Sequence, residues 1–398
     1  MLNIHILDSY DLSVLGAVHD YGTFSLTLNY NKVGPFILSI DNRLENSKYF
    51  VKDRIIMLES DGLCTGIITN VTIDIDDEGN ETRVVKGKSL GHILSHRVIN
   101  SNGTNEISFE EGHSETVIKN YVSKNAVNAY DEKRNYDNLT IADSKNLGNR
   151  IKWQSKFINL SDLVEEISDY ENLGWNIRVS LENDEMIFDV YEGKDLSGEV
   201  VFSSEIGNVE SMAYVYDEYR NKNFAYVAGE IYDLKVEIDP ETNEPIVKTE
   251  TIINATTGEE IEIESPKERR IYQVGDNKAT GLDRKEIFIE VKESVDEYID
   301  IPELGLRRLS GLTDIENMEV QIIDNSIFEY GVDYNIGDIV TVSQDDWGIS
   351  RNLRIISMRI DIDTNGGMRR YLEFGDIVPM LGDRIHSELK DFEPYTKK

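Results

Sequence analysis

Cysteine, proline, tryptophan and basic residues are all scarce in this chain. A single thiol, Cys64, in 398 residues permits no intramolecular disulfide and excludes a structural zinc site built on thiolates. Its flanks, Leu63 and Thr65-Gly66-Ile67-Ile68, read as a strand, so Cys64 is expected as a buried apolar thiol and not a nucleophile. Seven prolines beside 28 glycines exclude collagen-like and low-complexity stretches. No apolar run approaches the roughly 18 residues of a membrane span. The start, Met1-Leu2-Asn3-Ile4-His5, lacks the basic region and long apolar core of a signal peptide. Folding in the cytoplasm without membrane insertion is the expectation. Only 41 basic residues face 75 acidic ones, a formal net charge of −34. Such a surface repels duplex DNA and anionic headgroups, so binding their backbones is not its task. Solubility accounts for the charge; the sharper alternative is a surface past which a polyanion slides without sticking.

What is present is 39% hydrophobic residues, rich in Val, Ile and Tyr, in a pattern dominated by strands. Phe24, Leu26 and Leu28 alternate with Ser25, Thr27 and Asn29, the period of a half-buried strand. After Gly34-Pro35, Phe36, Leu38 and Ile40 alternate again. Further strands are expected at 54–58, 63–75 and 82–86, with a turn at Asp76-Asp77-Glu78-Gly79-Asn80. A short helix is expected over 89–97, with Leu90, Ile93 and Leu94 on one face. A second carries Val117, Ile118, Tyr121 and Val122 behind Ser114 as its cap. A third has Asn159 as cap, Asp162 in its first turn, a stripe of Leu160, Leu163, Val164 and Ile167, and Gly174-Trp175 as its end. Strands follow at 176–179, 186–191, 212–216 and 224–227. An acidic ribbon spans 231–264, turning at Thr256-Thr257-Gly258. A helix near 304–312 precedes strands at 338–342, 353–362 and 368–374. No repeat of 20–50 residues is visible. The fold class expected is β-rich α+β, with two small antiparallel β-units, the first a barrel or sandwich, flanking an α+β module, and a β-ribbon insertion.

Motifs for chemistry fail one by one. His92 and His96 share a helix face at i,i+4, but a zincin needs Glu after the first His, where Ile93 stands. Asp74, Asp76 and Glu78-Gly79 look like a calcium loop, yet the twelfth position is Val85 and not Glu. Asp361 and Asp363 before Asn365-Gly366-Gly367 read as a turn. Gly87-Lys88-Ser89 ends like a phosphate-binding loop, but Thr82 occupies the place of its first glycine. No Gly-x-Ser-x-Gly elbow occurs. No pair among the acids is singled out for glycosidase chemistry. Accordingly no catalytic, cofactor-binding or metal-ligating residue is nominated, and the chain is expected to be no enzyme.

Several blocks nevertheless form an ordered set. They are Gly34-Pro35-Phe36-Ile37-Leu38, Gly66-Ile67-Ile68, Val85-Lys86-Gly87-Lys88-Ser89-Leu90 with Ile93-Leu94 and Arg97, and the 114–122 segment. Then come Leu163 to Gly174-Trp175, Gly207-Asn208-Val209, Val227-Ala228-Gly229, Arg284 to Ile289, Leu304 to Leu312, and Asp333-Tyr334-Asn335-Ile336-Gly337-Asp338-Ile339-Val340 closed by Phe374-Gly375-Asp376. In this order they resemble siphophage tail-tip proteins and the baseplate hub proteins of contractile tails; the 231–264 ribbon departs from that pattern. The resemblance implies a structural homotrimer whose paired β-barrels ring a central channel. Its neighbours would be the tail tube or distal tail protein, the tape measure, and spike or fibre proteins. It divides the chain into an N-terminal β-barrel hub domain (1–100), an α+β domain (101–205), a β-rich domain with the ribbon and a helix (206–328), a C-terminal barrel part (329–380) and a polar tail (381–398).

Two other classes compete. A tail-associated cell-wall hydrolase needs a catalytic domain, and the twenty or so residues after the last block are too few for one. A carbohydrate-binding tip module needs exposed aromatics. Trp175 is expected in the core, Trp153 supports no claim, and Trp347, beside Asp345-Asp346, is the best exposed contact.

Overall fold

Four consecutive apolar residues, Ile55-Ile56-Met57-Leu58, mark the centre of the fold. A strand points successive side chains to opposite faces, so a run of this kind can be satisfied only between two apolar layers. In the computed structural model all four are buried. Ile56 and Leu58 face one core; Ile55 and Met57 face another. The description covers residues 2–376, apart from 60, 102–106, 229–248, 254–259, 265–270, 291–300 and 324–325.

The N-terminal strands are β1 (Ile4–Leu7), β2 (Val14–Val18), β3 (Thr23–Asn29), β4 (Pro35–Asp41), β5 (Ile55–Leu58), β6 (Thr65–Ile75) and β7 (Glu81–Ser89). A layer of β8 (Ser108–His113), α1 (Ser114–Val122), β9 (Leu139–Ile141), β10 (Arg150–Ser155), α2 (Leu160–Glu171), β11 (Gly174–Ser180) and β12 (Glu185–Tyr191) follows, then β13 (Val201–Ser203) and β14 (Val209–Asp217). Two compact units result: residues 1–217 with 315–398, and residues 218–314. The second holds β15 (Phe224–Ala228), the paired strands β16 (Thr249–Ile253) and β17 (Glu260–Glu264), β18 (Ile271–Gly275), β19 (Glu286–Glu290) and α3 (Ile301–Ser310). In it β15 is flanked by β18 and β19, and α3 covers the face bearing Ala225, Val227 and Ile289. The first unit resumes with β20 (Ile315–Ile322), β21 (Ile339–Gln344), β22 (Ile349–Ile362) and β23 (Met368–Gly375).

The strands at the two ends of the chain belong to one sheet. Thirteen strands run in the order β14-β20-β23-β22-β3-β4-β7-β6-β5-β1-β2, with β21 on β22 and β13 on β21. Pairing is antiparallel except between β13 and β21. The seam is β3 against β22, where Leu26 faces Ile360 and the Ser25 hydroxyl donates to Asp361 Oδ1 at 2.6 Å. Among the described residues this sheet does not close on itself. The architecture is therefore β-rich, one large antiparallel sheet with few helices.

Local rules explain most elements. Phe36 lies in a slot cut by two glycines: a Cβ on Gly66 or Gly87 would sit 2.6 or 2.4 Å from its ring. That is why the Gly-x-Phe run and the Gly66 and Gly87 blocks belong together. In α2, Asn159 Oδ1 accepts from the Ser161 N–H at 2.9 Å, and the four stripe residues are fully buried. Such a cap contributes about 1 kcal/mol.

Four expectations need correction. Ser114 is the first residue of α1 and not its cap; its hydroxyl donates to the Asn149 carbonyl at 2.8 Å, fixing the turn before β10. The 89–97 helix is a 3₁₀ segment, Leu90–His96, whose threefold period still buries Leu90 and Ile93. The third helix ends at Asn172 in left-handed conformation (φ 57°); Gly174 already begins β11. The 125–150 stretch, polar and Asn-rich and on that ground expected as a surface connection, instead buries Asn125 and Leu139 and pairs β9 with β12. Of the acidic ribbon only β16 and β17 are described. The turn at 256–258 and the polar tail lie outside the described residues.

Candidate functional site

The sequence-nominated chemistry does not assemble. His92 and His96 stand edge to face, ring centroids 5.3 Å apart. His92 Nδ1 lies 3.1 Å from the Ser95 hydroxyl, and His96 Nδ1 lies 3.4 Å from the hydroxyl of Tyr136. Burial first, then neighbouring cations, holds both imidazoles below their ordinary pKa. Among the described residues no three His, Cys, Asp or Glu are placed to hold a metal ion. Asp76 Oδ1 accepts the N–H groups of Glu78 (2.9 Å) and Asn80 (2.8 Å), so the calcium-like run is a hairpin turn. Asp363 Oδ1 does the same for Asn365 and Gly367. Cys64 is buried, and burial pushes its thiol up, away from thiolate chemistry.

The structure does bring together three motifs that lie far apart in sequence. They meet at Tyr30, just after β3. Gly174 and Gly337 close on its ring, where a Cβ would lie 2.3 and 2.4 Å from ring carbons. Gly337 adopts φ +100°, a left-handed conformation that favours glycine. The Tyr30 hydroxyl donates to the Asn172 carbonyl at 3.0 Å. Its carbonyl accepts the Trp175 N–H at 2.9 Å, and the Asn31 carbonyl accepts the Trp175 indole N–H at 2.7 Å. Tyr191 stacks edge to face on Tyr30 at 5.4 Å, and the Arg354 guanidinium lies 5.1 Å from the ring centroid. Asp338 completes the joint: Oδ1 accepts from Lys194 N and Oδ2 from Asn335 N, both at 2.7 Å. The Gly-Trp and Tyr-Asn-Ile-Gly-Asp blocks are thus a clasp between the helix-bearing layer and the large sheet.

Beside this clasp, where the two cores meet, opens a cavity of about 270 Å³. Leu28, Leu63, Trp175, Ile177, Tyr330 and Ile336 supply its apolar wall. Asn176 and Tyr191 line it too; burial pushes the Tyr191 phenol far up, so it stays protonated. No His or Cys lines the cavity, and the one lining hydroxyl of a serine, Ser89, accepts the Gly34 N–H at 3.0 Å. Lys32, Glu192, Lys194 and Asp338 line it as well, so apolar and charged side chains share the wall. Sequence reasoning missed the cavity, because its wall comes from six separate stretches and the flagged blocks among them, Ser89-Leu90, Gly-Trp and Gly-Asp, carry no sign that they meet.

The three tryptophans divide as the strand pattern demands. Trp175 is core. Trp153 is buried as well: it alternates with Lys152 and Gln154 on β10 and packs on the α1–α2 layer. Trp347, 49% exposed, sits in a 3₁₀ turn between β21 and β22. No helix among the described residues is long and apolar enough to cross a membrane.

A family model described as Siphovirus ReqiPepy6 Gp37-like protein matches residues 3–376. The chain belongs to this family. Solved structures similar in fold include three tail proteins. A prophage MuSo2 43 kDa tail protein from Shewanella oneidensis is 12% identical with a TM-score of 0.54, covering 94% of this chain and 98% of that one. A tail protein from Neisseria meningitidis MC58 is 10% identical with a TM-score of 0.53, covering 94% and 96%. Prophage tail protein gp18 from Listeria monocytogenes EGD-e is 9% identical with a TM-score of 0.50, covering 98% of each. No curated protein matches at a significant level.

Proposed function

We propose that this phage tail protein is a baseplate hub or tail-tip subunit, three copies of which close a ring joining the tail tube to the spike, fibre or tip. One observation carries the reading. The family match runs from residue 3 to 376, through every strand that joins the two ends of the chain in one sheet. In the ring, the β1–β7 half and the half formed by β13, β14 and β20–β23 act as two comparable barrel-like domains around a channel. Residues 1–100 and 329–380 supply most of them, with β13, β14 and β20 entering from the 101–205 and 206–328 stretches, which otherwise form the α+β domain and a β-rich appendage. Its partners are the tail tube or distal tail protein, the tape measure, and spike or fibre proteins, within the virion tail.

The protein works by assembling and not by catalysis. In support, its conspicuous motifs build joints, and its cavity lacks a nucleophile with a base. A net charge of −34 suits a channel wall that does not hold a polyanion. Mass photometry and light scattering of the purified chain test the ring: a trimer is expected. A strict monomer at high concentration, also with the tail-tube protein present, refutes it. A lysis band on peptidoglycan zymography from this chain alone would restore the hydrolase reading.

A further inference from the structure

Three features lie outside the clasp: the exposed Trp347 turn, the outer face of the β15–β18–β19 sheet, and the cavity beside Tyr191. Only the cavity carries a chemical requirement. Asn176, on its wall, has a side-chain Oδ1 that is shielded from solvent and has no hydrogen-bond partner. The amide side of Asn176 faces the Tyr191 hydroxyl and opposes the rise that burial imposes on it, while Oδ1 is left as the unpartnered acceptor. A buried acceptor of this kind costs free energy until a donor reaches it. Space of about 270 Å³, lined by Trp175, Tyr330 and aliphatic side chains together with Lys32, Glu192, Lys194 and Asp338, admits one aromatic ring. A ring bearing a hydroxyl satisfies both the apolar wall and the oxygen.

The chain itself displays such a group. Tyr10 is 88% exposed and stands on a braced turn. The Asp8 carboxylate accepts the Tyr10 N–H at 2.8 Å, the Asp8 carbonyl accepts the Leu12 N–H at 3.0 Å, and Arg54 pairs with the same carboxylate. A knob held in this way loses little conformational entropy on docking. Knob and hole also lie at opposite ends of one strand pair. In the β1–β5 register Leu7 faces Ile55 and Ile4 faces Leu58. Tyr10 follows Leu7, while Leu63 of the cavity follows Leu58. That separation prevents docking within one chain and suits head-to-tail contact, the kind that closes rings.

We propose that the cavity is the receptor for a tyrosine side chain, Tyr10 of a neighbouring copy, inserted with its hydroxyl donating to Asn176 Oδ1. This deepens the ring reading and rests on it. The first experiment probes the hole alone. In NMR titrations of the full chain, p-cresol shifts the Trp175 indole N–H signal and binds about tenfold more tightly than toluene, which lacks the hydroxyl. Asn176→Leu removes that preference while leaving toluene binding intact. Equal binding of the two probes, or none, overturns the assignment of the cavity. The second experiment probes the occupant. Tyr10→Ala and Asn176→Leu each weaken self-association about tenfold or more, with Tyr10→Phe intermediate. Tyr10→Cys oxidised in trans with Leu63→Cys gives covalent multimers, with Cys64 too buried to compete. Oligomers that form undiminished in both variants overturn the knob while leaving the ring standing. A wild-type chain that binds p-cresol but never self-associates overturns the ring and, with it, a second copy as the occupant.

Discussion

Replacing Lys119 with methionine tests the packing of the helix-bearing layer most directly. Lys119, on α1, is 6% exposed at its side chain, and its ammonium donates to Glu115 Oε1 at 2.7 Å, Asp189 Oδ1 at 2.9 Å and the Asp143 carbonyl at 3.0 Å. Glu115 is fully buried, and its carboxylate also accepts the N–H groups of Lys145 (2.8 Å) and Leu147 (2.9 Å), which pins the loop before β10. Methionine matches the stem of lysine but leaves the buried Glu115 carboxylate without its counter-ion and removes one of the two lysines on Asp189. Removing one partner of such a network costs about 3–5 kcal/mol. Lys145 still reaches Asp189 Oδ2 at 3.1 Å, so the lower end is expected.

The pH dependence gives an independent check. Burial alone would raise the Glu115 carboxyl, but Lys119 and the backbone N–H groups outweigh it and hold it below its ordinary value. For Asp189 the same opposition, burial against Lys119 and Lys145, ends in the same direction. A carboxylate whose folded pKa is depressed stabilises fully above the unfolded value, about 4, and loses that contribution as pH falls through the folded one. The wild-type margin over Lys119→Met is therefore widest near neutrality and narrows below about pH 4. Urea unfolding followed by the fluorescence of Trp153 and Trp175, both in this layer's core, reads the difference. A penalty under about 1 kcal/mol at pH 7, or one that does not shrink in acid, refutes the argument.

Other outcomes follow from single contacts. Gly87→Ala places a methyl 2.0 Å from the Ile67 carbonyl and 2.4 Å from Phe36, so soluble yield and the urea midpoint should both fall; a variant of native stability contradicts the slot. Leu163→Ala empties a fully buried position of α2 and should cost about 2–5 kcal/mol in the same unfolding assay. Cys64 should resist a thiol reagent in the native chain and react completely in denaturant; fast native labelling would show an open β5–β6 turn. Trp347→Ala should change stability by less than about 0.5 kcal/mol, because the ring is half exposed and packs on no core.

Much of this fold could be read directly from local pattern. Strand alternation located β3, β4, β12 and β23 to within a residue or two, because each has one face on a core and one toward solvent. The α2 stripe and its Asn159 cap were equally clear, since cap and period are both local. What escaped was set by non-local geometry. The pairing of β3 with β22 joins residues more than 300 positions apart, and no period in either strand encodes its partner. Ser114 has the right residue type for a cap, but an acceptor 35 residues away, the Asn149 carbonyl, takes its hydroxyl. Trp153 lies among Lys and Gln, which hid a strand whose polar members face outward.

The same distinction explains why the chemistry of this chain is hard to see and its assembly easier. Catalytic motifs announce themselves when several functional groups must sit within a few residues of one another. Here the notable blocks are glycine beside an aromatic: Gly66 and Gly87 around Phe36, Gly174 and Gly337 around Tyr30. Each marks a place where two backbones must approach with a ring between them, and so fixes how layers meet rather than what they react with. A structural tail protein needs stiff joints more than reactive groups. The Tyr30 clasp is such a joint, fastening β3, β11 and the 335–338 turn at a single ring. Loosening it by Tyr30→Ala should leave secondary structure intact by circular dichroism yet uncouple the two cores, turning one unfolding transition of the first unit into two. A single transition at lower urea would mean that the cores are held together elsewhere, and that the clasp adds stability without being the coupling element.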